Sequence, residues 1–289
     1  MHILNLCDIF CLGDNMKVLS DMHMHSNNSF DAENSVREMC LGAIEKDIST
    51  IAITDHMEAP EIKLGDRSVF GNMIKQITKS VADVEAASKE FEGKLKVLKG
   101  VEIGEPMHEP KLTKKAMDIA DYDFVLASIH NVKDSEDFYY LKYNESNVPA
   151  LLKQYFDELL DTASNADFDS LAHLTYPTRY IIQRTDINPE LDRYSEVIDN
   201  ILKALVDRDK ALEINTSGLR TIGVTMPDIN IIKRFKELGG KYVTIGSDAH
   251  SVSKLGYGIE KGIEIAKTCG FDYFTVFENR QPELVQIWY

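Results

Sequence analysis

Thiol chemistry has little to draw on in this chain. Four cysteines (Cys7, Cys11, Cys40 and Cys269) are scattered with no C-x-x-C pair among them, which argues against a disulfide framework and suits a reducing, cytoplasmic setting. Proline and glycine are sparse too, at eight and 16 of 289 residues, too few for a fibrous or disordered chain. Basic charge is in deficit. Thirty-two lysines and arginines face 47 acidic residues, a formal net charge of −15 with a pI near 5.0, so no basic surplus exists to neutralise the phosphates of a nucleic-acid polymer. No run is long and apolar enough to span a bilayer. The first segment, MHILNLCDIFCLGDN, is apolar but short and lacks the basic start of a secretory leader. Met16 stands directly before the first strand-like run, KVLSDMHMH. Residues 1–15 therefore read as a non-native or over-extended start, and residues 16–289 as a single domain.

What is present is a globular composition, 44% hydrophobic and 27% charged, arranged as alternating strand and helix signals. Strand-like runs fall at residues 18–22, 50–54, 96–103, 124–129, 170–174, 211–215 and 242–246, with a possible eighth at 274–277. Several are continuously apolar (FVLASI, STIAIT), as strands buried on both faces are. Helical patterns fill the intervals at about 72–91, 149–163, 191–206, 227–238 and 258–269. Another begins after Ser35, where S-V-R-E forms a capping box. The glycines of KELGG are placed to stop a helix in a left-handed cap. This is an α/β fold with a parallel sheet, either a barrel of about seven βα units or a doubly wound open sheet.

The histidines favour the barrel. Six of eight stand where a strand-like run stops: His23 and His25 in VLSDMHMH, His56 in IAITDH, His130 in VLASIH, His173 in SLAHL and His250 in VTIGSDAH. Ligands supplied by so many separate strands converge only if the sheet closes into a ring. H-x-H on a strand puts two imidazoles on one face. Glu102 closes an otherwise apolar strand, where a carboxylate has no packing role and can bridge two cations. Asp31 lies in a polar loop after the first strand, and Asp248 repeats the alternate-residue spacing with His250. Six imidazoles and three carboxylates are enough for three divalent transition ions, with zinc, manganese and iron all compatible with nitrogen and oxygen donors. Asp55 reads either as an orienter of a ligand or as a turn residue. His2 and His108 lack the strand-end context and are left as surface or loop residues.

The order H-x-H (His23, His25), Asp31, T-D-H (His56), G-V-E (Glu102), S-I-H (His130), A-H (His173) and S-D-A-H (Asp248, His250) resembles the PHP (polymerase and histidinol phosphatase) superfamily over about residues 17–280. The resemblance implies a distorted (β/α)7 TIM-like barrel with a trinuclear site at the C-terminal strand ends. It implies that His23, His25, Glu102 and Asp248 hold one ion, Glu102, His130 and His173 a second, and Asp31, His56 and His250 a third. E-I-N-T-S-G-L-R (Glu213–Arg220) and an arginine six residues beyond His173 look like the monofunctional histidinol-phosphate phosphatases of that superfamily, in which Arg179 and Arg220 would bind the phosphate. The intervening Tyr176-Pro177 departs from the pattern and makes Arg184 a substitute for Arg179.

The implied reaction is hydrolysis of the small phosphate monoester L-histidinol phosphate, with Asp248 able to relay the proton of the attacking water. Glu105 and Glu109 are candidates for the substrate's amine. A nucleotide or short-oligonucleotide phosphoesterase, a non-catalytic metal-binding scaffold and an amidohydrolase-type barrel are the alternatives. Nine intact donor residues weigh against the scaffold, and Glu102 stands where an amidohydrolase would carry a bridging lysine.

Overall fold

A computed structural model describes residues 18–287; the extension read at residues 1–15 lies outside the described residues. Eight parallel strands form one sheet: β1 (Ser20–Met24), β2 (Thr50–Ile53), β3 (His56–Glu58), β4 (Lys96–Gly104), β5 (Phe124–Ser128), β6 (Ser170–Leu171), β7 (Ala211–Asn215) and β8 (Val243–Gly246). Seven of them run in sequence order around the sheet, while β3 pairs with the upper half of β4 after β2 has paired with its lower half. β2 and β3 thus occupy one barrel position, interrupted at Thr54-Asp55. The ring nearly closes between β1 and the residues after β8, through the Met24–Ala249 bridge, His25 N donating to Ala249 O (2.8 Å) and Asp248 N donating to His23 O (2.8 Å).

Helices cover the outside: α1 (Val36–Glu45), α2 (Ala59–Leu64), α3 (Met73–Glu90), α4 (Pro110–Met117), α5 (Val148–Asn165), α6 (Tyr176–Arg184), α7 (Ser195–Asp207), α8 (Ser217–Thr221), α9 (Ile229–Glu237) and α10 (Ile259–Thr268). The capping box at Ser35 forms as expected, the Ser35 side chain accepting from Glu38 N while Glu38 returns to the Ser35 backbone. Leu238 ends α9 and Gly239 follows at φ +103°, the left-handed stop read from KELGG. The helical pattern at 191–206 resolves into a 3-10 turn at Leu191–Tyr194 running into α7.

The candidate eighth strand does not join the barrel. β9 (Tyr273–Glu278) pairs antiparallel with β10 (Gln281–Gln286). The hairpin sits against the N-terminal ends of the barrel strands. Arg280 N donates to Asp123 O just before β5, and the Arg280 guanidinium engages Asp169 (3.0 Å) just before β6, together with Asp167 (2.8 Å). This leaves the opposite, C-terminal end of the barrel open for chemistry, as in other barrels of parallel strands.

Asp21 holds the closure. Its buried carboxylate accepts from Ser247 N (2.8 Å), Ser247 Oγ (2.5 Å) and Gly256 N (3.0 Å), all on the far side of the seam. Asp21→Ala leaves these donors buried without partners, so a loss of about 2–4 kcal/mol is expected, read as a lower urea midpoint at unchanged slope.

Candidate metal centre

Strand alternation and the points where strands stop decide which side chains enter the barrel mouth. His23 projects inward from β1, and His25 follows just beyond the strand with its Nε2 3.1 Å from His23 Nε2. Glu102, on β4 and fully buried, reaches the middle of the group. Its two oxygens face different partners. Oε2 lies 3.2 Å from His23 Nε2, 3.2 Å from His56 Nδ1 and 3.5 Å from His25 Nε2, whereas Oε1 lies 2.9 Å from His173 Nε2 and 3.2 Å from His130 Nε2. Asp248, in the left-handed region at φ +52° just past β8, puts Oδ1 3.5 Å from His25 Nε2 and 3.6 Å from His250 Nδ1. Asp31 comes over from the β1 loop, 3.1 Å from His250 Nε2 and 3.7 Å from His56 Nε2. Asp31 and His250 form the more open edge, with side chains 39% and 21% exposed.

All nine residues read from the sequence therefore meet at one end of the barrel. Within these nine, four sets offer donor atoms within 4.8 Å of one another: His23–His25–Asp248, His23–Glu102–His173, His56–Glu102–His130 and His25–His56–His250; Glu58–Glu105–His130 is a fifth set among the described residues. His23, His25, His56 and Glu102 each belong to two of these four sets, a finer pattern than the threefold division drawn from resemblance.

A supporting shell turns these imidazoles inward. Glu213 Oε1 lies 2.6 Å from His23 Nδ1, and Glu213 Oε2 accepts from His173 N (2.7 Å). Gly246 makes room for that pair, since a Cβ there would come within 2.3 Å of His23 Cβ and 2.5 Å of Glu213 Oε1. Glu58 Oε1 lies 3.1 Å from His130 Nδ1. Asp55 accepts from Ser26 N (2.6 Å), Ser26 Oγ (2.7 Å), Ser29 Oγ (2.9 Å) and Ser80 Oγ (2.5 Å), and Ser29 Oγ is also 3.4 Å from His25 Nδ1. Asp55 accordingly orients a ligand-bearing loop through serine hydroxyls. Neither Glu58 nor Glu213 was singled out as a site residue from sequence.

The electrostatics are those of a cation site. Burial opposes charge on His23, yet Glu213, Glu102 and Asp248 overcome it and raise its pKa well above normal. Burial likewise opposes ionisation of Glu102, and His23, His130 and His56 reverse this, holding its carboxyl well below the usual range. His25, desolvated and beside His56 and His250, is pushed down to about 3 and stays neutral. The buried carboxylates thus demand positive charge, which a divalent ion supplies in place of imidazole protons. Nitrogen and oxygen donors without thiolate, and outer nitrogens tethered to carboxylates, fit such an ion.

The candidate substrate residues divide. Arg179, on α6, lies at the centre: Nη1 donates to Ser217 Oγ (3.3 Å) and is 3.7 Å from Asp248 Oδ2, and its guanidinium stacks on Tyr176 and Tyr180. Arg220, on α8, is more open, over the Tyr257 ring at 5.4 Å and 3.5 Å from Lys254 O. Arg184 packs on Tyr139 and Tyr180 and donates to Tyr139 O, so it does not replace Arg179. Glu105 is fully buried behind His130, whose N donates to it at 2.5 Å. Glu109 turns away to Lys63 (2.5 Å). His108 pairs with Glu158 (2.9 Å) outside the cluster, whereas His2 lies outside the described residues.

The PHP domain family model matches residues 21–217. The Clostridium acetobutylicum protein named "Probable histidinol-phosphatase" is 32% identical over 86% of this chain and 93% of its own length. The histidinol-phosphatase of Lactococcus lactis is 29% identical over 90% of this chain and 94% of its own. A crystal structure of the histidinol phosphate phosphatase from Lactococcus lactis, complexed with zinc, L-histidinol and phosphate, superposes with a TM-score of 0.76 at 26% identity, covering 92% of this chain and 98% of that one.

Proposed function

This chain belongs to the PHP domain family, and from that premise we propose that it is a metal-dependent phosphomonoesterase that hydrolyses L-histidinol phosphate to L-histidinol and phosphate. The observation that carries the reading is the division of labour at Glu102, whose two oxygens address separate imidazole groups with Arg179 close by across Asp248. The likeness to the Lactococcus lactis enzyme and its histidinol and phosphate complex supports the choice of substrate.

In this reading His23, His25, Asp248 and Glu102 hold one ion, Glu102, His130 and His173 a second, and Asp31, His56 and His250 a third. Zinc is favoured by the neighbour structure, and manganese or iron suit the same donors. When bound, such ions supply an acidified water and positive charge for the transferred phosphoryl group. The protein's own groups do the rest. Arg179 and Arg220 bind phosphoryl oxygens, with Arg179 placed for the charge that develops on them. Asp248, between His25 and Arg179, takes the proton of the attacking water and returns it to the leaving alkoxide oxygen, which departs as the alcohol. Glu213 and Glu58 keep His23 and His130 turned inward. Two buried free cysteines, Cys40 and Cys269, suit a reducing cytoplasm. Among the described residues no helix is long and apolar enough to cross a membrane.

The test is phosphate release by the purified holoprotein from L-histidinol phosphate, AMP, pAp and a dinucleotide, paired with elemental analysis. Release from histidinol phosphate with close to three ions per chain is expected. Release from the nucleotides alone would overturn the substrate, and fewer than two ions in a fully active preparation would overturn the trinuclear assignment. Arg220→Ala is expected to raise KM roughly tenfold with kcat within about twofold, because this open arginine contributes binding that is the same in ground and transition states; steady-state kinetics reads the split.

A further inference from the structure

We infer that Arg184 is a positioning residue for Arg179, acting through the ring of Tyr180 and braced by the loop after β5; this rests on the phosphatase reading above and deepens it. Tyr176, Tyr180 and Arg184 follow one another at four-residue intervals along α6, so they form one stripe on its surface. The Arg179 guanidinium lies over the rings of Tyr176 (4.5 Å) and Tyr180 (5.1 Å), and the Arg184 guanidinium lies over those of Tyr180 and Tyr139 (both 4.9 Å). Rings and cations thus alternate along a five-member stack. Its inner end is Tyr176, packed on His130 (4.9 Å) and His173 (4.8 Å), and its outer end is Tyr139, 55% exposed.

The two walls of Arg179 are held differently. Tyr176 is buried against the imidazoles, whereas Tyr180 stands on the outer side, its hydroxyl donating to that of Tyr176 (3.0 Å) and its ring meeting Arg184. Arg184 is fixed in turn by donating to Tyr139 O and by the Tyr139 ring. Tyr139 cannot drift, because the preceding Phe138 is fully buried, donates its N to His130 O (3.0 Å) and packs edge-on against Tyr155 (5.4 Å). Arg179 needs this brace. Its Nη1 donates to Ser217 Oγ across 3.3 Å and stays 3.7 Å from Asp248 Oδ2, while Nε has no hydrogen-bond partner. Contacts of that length leave the plane of the guanidinium to be set by the two rings. An arginine ending a helix also favours the helix dipole, but a lysine would serve that role equally. What lysine lacks is a flat cation able to fill the space between two rings while donating to a carbonyl.

The experiment measures kcat, KM, inhibition by inorganic phosphate and metal content for L-histidinol phosphate turnover in wild type, Arg184→Ala, Arg184→Lys, Arg179→Ala and the Arg179→Ala/Arg184→Ala double variant. Arg184→Ala is expected to lower kcat/KM about tenfold, mostly in kcat, and to weaken phosphate inhibition, the scale of one stacked cation–ring contact. Its metal content stays at the wild-type level. Arg184→Lys is expected to recover less than about a third of the loss. In the Arg179→Ala background the second substitution changes kcat/KM by less than about twofold, because the group it positions is gone. An Arg184→Ala enzyme equal to wild type, full activity in Arg184→Lys, a tenfold loss that persists without Arg179, or ions lost with Arg184 would each overturn the positioning role while leaving the phosphatase reading intact. No turnover by the wild type would overturn that reading and the positioning role with it.

Discussion

Glu102→Ala is expected to lose at least two of the bound ions and to lower turnover of histidinol phosphate by about 10⁴-fold or more. No other carboxylate in the centre touches as many donors. Its oxygens stand within 3.5 Å of His23, His25, His56, His130 and His173, so on the proposed assignment removing it would take a ligand from two ions and the negative charge that favours both. The nearest alternatives do not compensate. Glu213 is turned to the outer face of His23, Glu58 to the outer nitrogen of His130, and Asp248 already serves His25 and His250. Glu102→Gln keeps the volume and one acceptor oxygen and is expected to fall between alanine and wild type in metal content. Elemental analysis of the purified variants is the measurement. Equal metal in Glu102→Ala and wild type would refute the bridging role even if activity were lost.

Glu102 is legible in the sequence because a carboxylate inside an apolar strand has no packing function. Glu213 satisfies the same criterion in ALEIN and holds His23 from behind, so the signal for it was present. Glu58 gave none. It lies on a three-residue strand, too short for periodicity, that exists because Asp55 gathers Ser26, Ser29 and Ser80 where β2 breaks off. The six strand-end histidines mark the barrel mouth correctly because parallel strands deliver their C-terminal ends to one side. The strand at 273–278 shows the limit of apolar runs as a guide, since a plug strand and a barrel strand look alike. What separates them is the two-residue turn Asn279-Arg280, both at positive φ, and an arginine in that conformation carries none of the glycine signal that normally announces such a hairpin. Helix α8, five residues long, is likewise too short for a helical pattern to show, yet it presents Arg220.

Arg179→Ala is expected to lower kcat/KM by about 10² to 10³, some 2.7–4 kcal/mol of transition-state stabilisation, with most of the loss in kcat. The guanidinium is already fixed before substrate arrives, between the rings of Tyr176 (4.5 Å) and Tyr180 (5.1 Å) and tied by Nη1 to Ser217 Oγ. Its Nε is buried with no hydrogen-bond partner, a donor available to a phosphoryl oxygen. Lysine cannot reproduce this. Its single ammonium lacks the planar fork and the stacking faces, so Arg179→Lys is expected to recover less than about a tenth of the lost activity. Arg220 provides the contrast, because its half-buried side chain has only the Tyr257 ring and Lys254 O beside it and its loss is expected in KM. Metal content should be unchanged in Arg179→Ala, and inhibition by inorganic phosphate should weaken alongside kcat. A variant that loses ions would show instead that Arg179 acts by holding Asp248 in place, and a fall confined to KM would remove its role in the transition state.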